Sequence, residues 1–167
     1  TKGTKFNVFF NQGQFIEETI RSVLFQRYAN LEFFIMDGGS TDNTIEIIKY
    51  YEPWIDHWES QQDEGQSHAI NKGWQRSTGS ILAFLNSDDV YLPGALLKVA
   101  KAFNEAPLSA SVSGITRFAS LSGETIATKS PRAFAPEHYL RGGLNPGQPS
   151  VFLARSTYET VGLVDES

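Results

Sequence analysis

The first two-thirds of the chain alternates short apolar runs with segments whose apolar residues recur at helical spacing. Runs at 6–10, 31–36 and 81–85 have the length of strands, and the middle run is almost wholly apolar, as in a strand covered on both faces. Three helical stripes accompany them: Ile16, Ile20, Val23 and Leu24; Ile45, Ile47, Ile48 and Tyr51; and Leu96, Val99, Ala100 and Phe103. The alternation predicts an α/β fold, with a mostly parallel sheet flanked by helices.

Residues that favour the ends of elements mark two of the helix starts. Ser40 and Asp42 have side chains that cap helices, and they precede the second stripe. Pro93 suits the first position of the helix that carries the third stripe. A further helix is predicted over about 65–75, after a short strand at 55–59.

The pattern changes in the last third of the chain, where glycine and proline become frequent. Segments 110–118 and 125–129 are predicted to pair as two strands. At 167 residues the chain is long enough for one domain with its own core. We therefore predict a single domain over 1–167, with an α/β half at about 1–106 and a more irregular half at about 107–167.

Composition narrows the classes of function. The chain has no cysteine, which excludes disulfides, thiolate metal sites and a cysteine nucleophile. Its formal net charge of −5 argues against nucleic acid as a partner, because such binding usually requires a basic face. No apolar run approaches the roughly 20 residues that span a bilayer. We expect a cytoplasmic protein, with peripheral association at the inner face of the membrane left open.

Three polar clusters follow the predicted parallel strands, at 11–14, 37–43 and 86–89. Each cluster alone is explained by turn formation and helix capping. However, the carboxyl ends of parallel strands share one edge of a sheet, and that edge is where such sheets bind ligands. The three clusters together therefore predict a ligand site at this edge.

Asp88 and Asp89 form the most informative of these clusters. Adjacent carboxylates repel one another unless a positive charge lies nearby. A divalent cation with oxygen ligands supplies that charge, and the oxygens of a nucleotide diphosphate can complete its coordination. Alternatively, both residues simply begin the turn before the next helix, and the residues alone leave the two interpretations open.

An ordered set of motifs resembles glycosyltransferase family 2, whose members have the GT-A fold. The motifs are Asn11-Gln12-Gly13-Gln14-Phe15, Asp37-Gly38-Gly39-Ser40-Thr41-Asp42-Asn43-Thr44, Asp63-Glu64-Gly65-Gln66, Ala69-Ile70-Asn71-Lys72-Gly73 and Leu85-Asn86-Ser87-Asp88-Asp89. The likeness covers about 6–97 strongly and extends weakly to Glu166. It implies a Rossmann-like GT-A domain, truncated at its acceptor side, whose first half binds the nucleotide sugar. The implied reaction is transfer of a sugar, with inversion, to a hydroxyl of a glycan, a lipid-linked sugar or a cell-envelope polysaccharide.

The resemblance also implies roles for individual residues on the nucleotide side. Asp37 corresponds to a carboxylate that accepts a hydrogen bond from the imide of a uracil-type base, so the donor is expected to be a UDP-sugar or a TDP-sugar. Asp63 and Gly65 correspond to a loop that lines the nucleotide pocket, where Gly65 permits close approach of the backbone. Asn11, after the first strand, is expected to contribute to the same pocket.

On the diphosphate side, Asp88 corresponds to the acid that holds Mn²⁺ or Mg²⁺, and Asp89 is expected to support this metal site from beside it. Asn86 occupies the first acidic position of the family's Asp-x-Asp motif. Its amide can bind a ribose hydroxyl or offer a carbonyl oxygen. The general base of the family follows the stretch at 162–166 by about a dozen residues, which lies beyond Ser167, so the catalytic base is left unassigned.

Other polar residues receive weaker assignments. His57, between two tryptophans, is expected in a packed edge, whereas a pocket-wall role for His68 is left open. Lys72 is expected to be a solvated helix residue rather than a phosphate ligand. Gln148 belongs to a segment that resembles the acceptor side of the family.

Two alternative functions remain at this stage. One is a catalytically incomplete module that binds a nucleotide sugar without turning it over, and Asn86 in place of an acid favours it. The other is a nucleotidyltransferase, which would usually carry a basic, glycine-rich phosphate loop near its start. The segment 11–14 contains no basic residue, which argues against that class.

Overall fold

The apolar runs of the sequence form the centre of one sheet. The computed structural model describes residues 3–131 and 147–166, with the backbone alone described at 4–9. The first four strands are β1 (Gly3–Phe9), β2 (Leu31–Asp37), β3 (His57–Ser60) and β4 (Ile81–Asn86). They lie in the order β3-β2-β1-β4 and are parallel, as the alternation of strands and helices predicts.

The second half of the chain extends the same sheet. Strand β8 (Val151–Ala154) pairs antiparallel with β4, and β5 (Ser111–Ser113) pairs antiparallel with β8. The six-stranded order is therefore β3-β2-β1-β4-β8-β5, which is mostly parallel. Strands from both predicted halves are thus joined by one hydrogen-bond network.

Helices cover both faces of this sheet. They are α1 (Ile16–Leu24), α2 (Thr44–Tyr51), α3 (Gln66–Arg76), α4 (Ala95–Glu105) and α5 (Arg155–Val161), with 3₁₀ turns at Glu52–Trp54 and Gln148–Ser150. Helices α1, α2 and α4 bury their apolar stripes in one core, and α3 packs in a second core on the opposite face. Within the described ranges, none of the helices has both the length and the apolar character needed to cross a membrane.

Strand β2 shows why its sequence is almost wholly apolar. Phe33 and Ile35 point into the core beneath α1 and α2, whereas Phe34 and Met36 point into the core beneath α3. Successive side chains of a strand lie on opposite faces, so a strand covered on both faces buries every residue. The predicted two-sided burial is confirmed.

The start of α4 differs from the prediction for Pro93. The helix begins at Ala95, and Gly94 precedes it with φ +76°, a left-handed conformation that interrupts the helical path. Pro93 therefore lies in the turn before the helix rather than at its first position. Similarly, β3 begins at His57, two residues later than predicted, because the 3₁₀ turn at Glu52–Trp54 extends α2.

The predicted pairing of 110–118 with 125–129 is correct only in its second part. Strand β6 (Thr116–Ala119) pairs antiparallel with β7 (Thr125–Lys129) as a hairpin. The residues before it form β5 in the main sheet. Strand β5 ends just before Gly114, whose N–H donates to the carbonyl of Ser150 rather than to a hairpin partner. The hairpin therefore begins only at Thr116.

Candidate functional site

The three polar clusters meet at one edge of the sheet, as predicted. Strand β1 lies between β2 and β4, and its register pairs Phe9 with Asp37 and Val8 with Asn86. Neighbouring strands are about 4.8 Å apart, so the ends of β2 and β4 are separated by about 10 Å. A single ligand of nucleotide size can therefore contact both ends.

Asp37 lies at this edge, but its carboxylate is engaged by neighbouring donors. The residue is only 3% exposed. Its Oδ2 accepts hydrogen bonds from the N–H groups of Gly39 (3.1 Å) and Ser40 (2.8 Å) and from the hydroxyl of Ser60 (2.6 Å), and its Oδ1 accepts from the Ser40 hydroxyl. These bonds hold the loop after β2 in place. Direct contact between Asp37 and a nucleobase remains a prediction.

Asn11 belongs to the same loop system. Its backbone N–H donates to the Ser40 hydroxyl (2.7 Å), and its side-chain carbonyl accepts from the N–H of Thr41 (2.9 Å). The loop after β1 is thus attached to the loop after β2. The predicted pocket role of Asn11 therefore comes with a structural role that the sequence does not reveal.

Asp42 lies just before α2 and forms a second link between the loops. Its Oδ1 accepts from the N–H of Thr44 (3.0 Å), and its Oδ2 accepts from the N–H of Gly13 (3.0 Å). The hydrogen bonds from Thr44 and Gly13 lower the pKa of this carboxyl. The N-cap of α2 is Asn43, so neither Ser40 nor Asp42 is the cap, although Asp42 accepts from the first turn of the helix.

The residues after β4 form a tight turn that exposes one carboxylate. The N–H of Asp89 donates to the carbonyl of Asn86 (3.2 Å), and Asp88 is exposed at the tip of this turn. Asp89 is partly buried. Its burial and the adjacent charge of Asp88 raise its pKa from 3.8 to about 6. Among the described side chains, neither carboxylate has an ion-pair partner.

This arrangement fits a divalent cation that is shared with a diphosphate. No group of three or more His, Asp or Glu side chains that could enclose an ion occurs within 3–131 and 147–166. A cation held by phosphate oxygens needs only one or two protein carboxylates, with water completing its coordination. Asp88 is exposed, and the carboxylate of Asp89 lies next to it in the chain, partly buried. The donor set therefore fits Mn²⁺ or Mg²⁺.

The loop before α3 is shaped by its own side chains. The Oδ1 of Asp63 accepts from the N–H of Gly65 (3.0 Å). Gly65 has φ +115°, and no atom lies within 4 Å of the position that a Cβ would take. Glycine is therefore favoured here by the backbone conformation, and the open space beside it leaves the predicted approach of a nucleotide to this backbone as a prediction.

Gln66 was not singled out by the sequence, yet it contacts one of the predicted site residues. Its Nε2 donates to the side-chain carbonyl of Asn86 (2.7 Å). This bond connects the start of α3 with the end of β4 and uses one of the two lone pairs of the Asn86 oxygen. The signal in the sequence is its place in the motif beginning at Asp63, one residue after the glycine.

Gln148 lies where β8 starts, beside the end of β4. Its Nε2 donates to the carbonyl of Phe84 (3.0 Å). Its Oε1 is buried and has no hydrogen-bond donor among the described residues. A buried acceptor without a donor is uncommon in proteins and often marks a position that a water molecule or a ligand satisfies.

Lys72 is less solvated than predicted, because its side chain is only 27% exposed. Its ammonium pairs with Glu59 of β3, and Arg76 lies 3.6 Å from the same carboxylate. Burial alone would raise the pKa of Glu59, but the hydrogen bond and charge of Lys72 produce a net lowering. His57 packs edge-to-face on Phe34 with 5.8 Å between ring centroids, in agreement with the predicted packed edge.

His68 contributes a hydrogen bond at the start of α3, and its pocket-wall role stays open. Its Nδ1 accepts a hydrogen bond from the N–H of Glu64 (3.1 Å), four residues earlier. This contact closes the turn before the helix. It accounts for the position of the imidazole without any ligand.

Comparison with known proteins gives a consistent result. The sequence model of glycosyl transferase family 2 matches residues 8–155. TuaG of Bacillus subtilis, which is named for teichuronic acid biosynthesis, is 32% identical over 113 residues, or 66% of this chain and 45% of TuaG. Other curated relatives are matched over about a third of their length, so the chain spans less than half of the curated relatives that it matches.

Solved structures of glycosyltransferases share the fold. The S. aureus TarS 1–349 structure in complex with UDP-GlcNAc matches with a TM-score of 0.70 at 18% identity, covering 96% of this chain and 47% of TarS. The mannosyltransferase PcManGT of Pyrobaculum calidifontis, in complex with GDP-Man and Mn²⁺, has a TM-score of 0.74 at 18% identity, covering 99% of this chain and 48% of PcManGT. These likenesses confirm the predicted GT-A fold.

Proposed function

Because the chain belongs to glycosyltransferase family 2, we propose that it forms the donor-binding part of an enzyme that transfers a hexose, with inversion, from a nucleotide diphosphate sugar to an acceptor hydroxyl. One observation carries this proposal. The exposed carboxylate of Asp88 stands at the same sheet edge as the loops after β1 and β2, about two strand spacings from the end of β2. The Asp88 carboxylate and the loops after β1 and β2 can therefore contact the same ligand.

The proposed donor is a UDP-sugar, with a TDP-sugar as the alternative that satisfies the same base contacts. The bound UDP-GlcNAc of TarS supports a uracil nucleotide, whereas the bound GDP-Man of PcManGT shows that the fold also accepts a guanine nucleotide. On the nucleoside side we assign Asn11, the loop that Asp37 holds, and the turn formed by Asp63 and Gly65. Asn86, whose carbonyl is engaged by Gln66, is assigned to the ribose through its amide.

The proposed diphosphate site consists of Asp88, supported by Asp89. When bound there, Mn²⁺ or Mg²⁺ stabilises the negative charge that develops on the leaving diphosphate. The chain's own contribution is to hold one exposed carboxylate at the tip of a hydrogen-bonded turn, next to a second, partly buried carboxylate. The general base of the reaction stays a prediction for the region after Glu166.

For the acceptor we propose a glycan, a lipid-linked sugar or a cell-envelope polysaccharide, as the name of TuaG suggests for that relative. The buried Oε1 of Gln148 supports a sugar ligand beside the end of β4. A sugar hydroxyl is a donor that can satisfy this oxygen. Such an acceptor would bring the enzyme to the membrane surface as a peripheral protein.

The experiment is a nucleotide panel followed by thermal unfolding. UDP, TDP, GDP and CDP are each added with and without Mn²⁺ to the wild-type chain and to Asp88→Ala. We expect UDP or TDP to raise the Tm only when Mn²⁺ is present, and Asp88→Ala to abolish this rise. Glu124→Ala is the matched control, because it removes an exposed carboxylate on the β6–β7 hairpin, away from the site.

Two results of this panel would contradict the proposal. Equal responses to all four nucleotides would remove the base preference, and a response that Asp88→Ala retains would remove the metal role of this carboxylate. If Glu124→Ala also abolishes the Tm rise, the effect follows net charge rather than the site.

A binding module without turnover is the second candidate, and Asn86 in place of an acid favours it. The Asn86 oxygen is uncharged and already accepts one hydrogen bond from Gln66, so it is a weaker metal ligand than a carboxylate. If the full-length protein hydrolyses the donor or transfers its sugar, and Asp88→Ala abolishes this activity, the enzyme is supported. Tight nucleotide-sugar binding without either reaction would decide for the module.

A further inference from the structure

Helix α1 carries two polar residues, Thr19 and Ser22, three positions apart and therefore on the same side of the helix. Gln26 lies in the turn two residues after the helix ends. All three side chains bond to backbone groups of the segment 87–96, which contains the turn that exposes Asp88. Helix α1 and the turn after it therefore attach to this segment through side chains.

Thr19 makes the contact nearest to the proposed metal ligand. Its side chain is fully buried. The hydroxyl donates to the carbonyl oxygen of Ser87 at 2.6 Å and lies 3.0 Å from the carbonyl oxygen of Asp89. These two carbonyls belong to the residues on either side of Asp88. One hydroxyl thus fixes the backbone before and after the exposed carboxylate.

Ser22 on α1 and Gln26 in the turn after it continue the attachment. The Ser22 hydroxyl accepts from the N–H of Tyr91 (3.1 Å). The Gln26 amide donates to the carbonyl of Leu92 (3.1 Å) and accepts from the N–H of Leu96 (3.3 Å). Gln26 is buried as well, and it satisfies the backbone at the beginning of α4.

The turn at 86–89 holds two adjacent carboxylates, Asp88 exposed and Asp89 partly buried, and like charges this close repel one another. A carboxylate that meets a cation is most effective when its position is fixed before the cation arrives, because no ordering is then required on binding.

We propose that Thr19 is a positioning residue for the donor site, which holds the turn so that Asp88 meets the metal–diphosphate group in a fixed place. Ser22 and Gln26 extend the same support toward α4. This inference rests on the proposed function, since it assigns Thr19 a role in the metal-dependent part of nucleotide binding. It places no direct contact between Thr19 and the ligand.

The test compares Thr19→Val with Thr19→Ser and with Thr160→Val. Valine keeps the shape of threonine without its hydroxyl, and serine restores the hydroxyl. Thr160 is the matched control, because its hydroxyl donates to a backbone carbonyl of its own helix, α5, and is exposed. Calorimetry measures the affinity of each variant for uridine, for UDP, and for UDP with Mn²⁺.

We expect Thr19→Val to lose about tenfold of the affinity that Mn²⁺ adds to UDP, which corresponds to about 1.4 kcal/mol. Uridine binding should not change, because uridine has no diphosphate to engage the metal. Thr19→Ser and Thr160→Val should stay within about twofold of the wild type. Ser22→Ala should show a smaller loss of the same kind, and it replaces Thr19→Val if that variant does not fold.

A second measurement needs no ligand. Amide hydrogen exchange reports the opening of local structure, so the amides of Asp89 and Tyr91 should exchange faster in Thr19→Val than in the wild type. Exchange in α5, around Thr160, should be the same in both. Unchanged exchange at Asp89 and Tyr91 would overturn the proposed attachment.

The binding experiment separates this inference from the proposed function. If the wild type gains affinity from Mn²⁺ and Thr19→Val gains as much, the inference is wrong and the proposed function stands. If Thr19→Val loses uridine and Mn²⁺–UDP affinity equally, the residue is merely structural and the inference is also wrong. If the wild type gains nothing from Mn²⁺, the metal-dependent function fails, and the positioning role fails with it.

Discussion

Two acidic regions lie at the same sheet edge, and they differ in whether hydrogen-bond donors compensate their negative charges. In the loops after β1 and β2, Asp37 accepts four hydrogen bonds and Asp42 has a pKa lowered by its bonds to Thr44 and Gly13. In the turn after β4, Asp89 has a raised pKa and Asp88 is exposed. The first region stabilises its negative charges, whereas the second leaves them uncompensated.

This difference indicates which region is complete without ligand. Hydrogen bonds to a carboxylate favour its charged form, so the loops after β1 and β2 are assembled by their own acids. The turn after β4 is fixed through its backbone by α1, and its carboxylates have no ion-pair partner among the described side chains. We infer a preformed nucleoside side and a diphosphate side that is completed by the metal and the donor.

The largest effect is expected from Asp37→Asn. The asparagine NH₂ group is a donor, and it would face the N–H and hydroxyl groups whose hydrogen bonds Asp37 accepts. A buried donor without an acceptor is costly. We expect a loss of about 3 kcal/mol in the free energy of unfolding, measured by denaturant titration with the linear extrapolation. Asp88→Asn is the control and should leave this free energy unchanged, because Asp88 is exposed.

The same variant tests the base contact predicted for Asp37. If Asp37→Asn keeps its stability but loses affinity for uridine, the carboxylate serves the ligand and the preformed character of this region is wrong. A loss of stability accompanied by normal uridine affinity in the fraction that remains folded would assign Asp37 to the loop alone.

A smaller effect of opposite sign is expected from Asp89→Asn. The pKa of Asp89 rises from 3.8 to about 6 on folding, so the folded state holds a proton more tightly than the unfolded state. Stability contributed by this group is therefore greatest below pH 4 and is lost as the pH rises through 6. Discounting for the partial exposure of Asp89, the variant should gain about 1 kcal/mol at pH 7.5 and nothing at pH 4.

Thermal unfolding of the wild type and of Asp89→Asn between pH 4 and pH 8 measures this gain. Glu124→Gln provides the control for loss of one negative charge, and its Tm should follow the wild type at every pH. A Tm difference between Asp89→Asn and the wild type that is constant across this pH range would show that the charge of Asp89 is not destabilising.

The smallest effect is expected from Lys72→Met, which tests whether the diphosphate side extends to α3. Lys72 pairs with Glu59, and both side chains are partly buried, with 27% and 14% exposed. We expect a loss of about 0.5 kcal/mol in stability and no change in the affinity for UDP with Mn²⁺. Lys101→Met, which breaks an exposed pair with Glu105, should cost less.

The opposite result for Lys72→Met would change the comparison between the two acidic regions. If Lys72→Met weakens UDP binding without lowering the Tm, a cation on α3 belongs to the diphosphate side. The negative charges of Asp88 and Asp89 would then not be the only charges of the chain that act on the diphosphate.

The elements and the common edge were predictable because they depend on local pattern. A strand covered on both faces must be apolar throughout, and a helix on one face must repeat its apolar residues every three to four positions. These rules gave β2 and β4 close to their observed bounds. They did not give the start of α4 or the end of β5 before Gly114, because the conformation of Gly94 and a hydrogen bond from the Gly114 N–H to the Ser150 carbonyl decide those positions.

The candidate site divides in the same way. Asp88 could be found from the sequence, since adjacent carboxylates after a strand are a local signal. Gln66 and Thr19 could not, because each acts on a residue far along the chain: Gln66 on Asn86, and Thr19 on Ser87 and Asp89. The signal for Thr19 is only a polar residue beside an apolar stripe, which most amphipathic helices contain.

The sequence by itself determined the α/β order of elements, the two buried faces of the sheet and the three polar clusters at one edge. Only the tertiary structure decided which of the acids at that edge are satisfied. The reason is that a carboxylate's charge is compensated by donors brought close in space, and for Asp37 and Asp42 those donors include Ser60 and Gly13, 23 and 29 residues away. Asp88 has no such donor among the described residues, which is why it is free to meet a ligand.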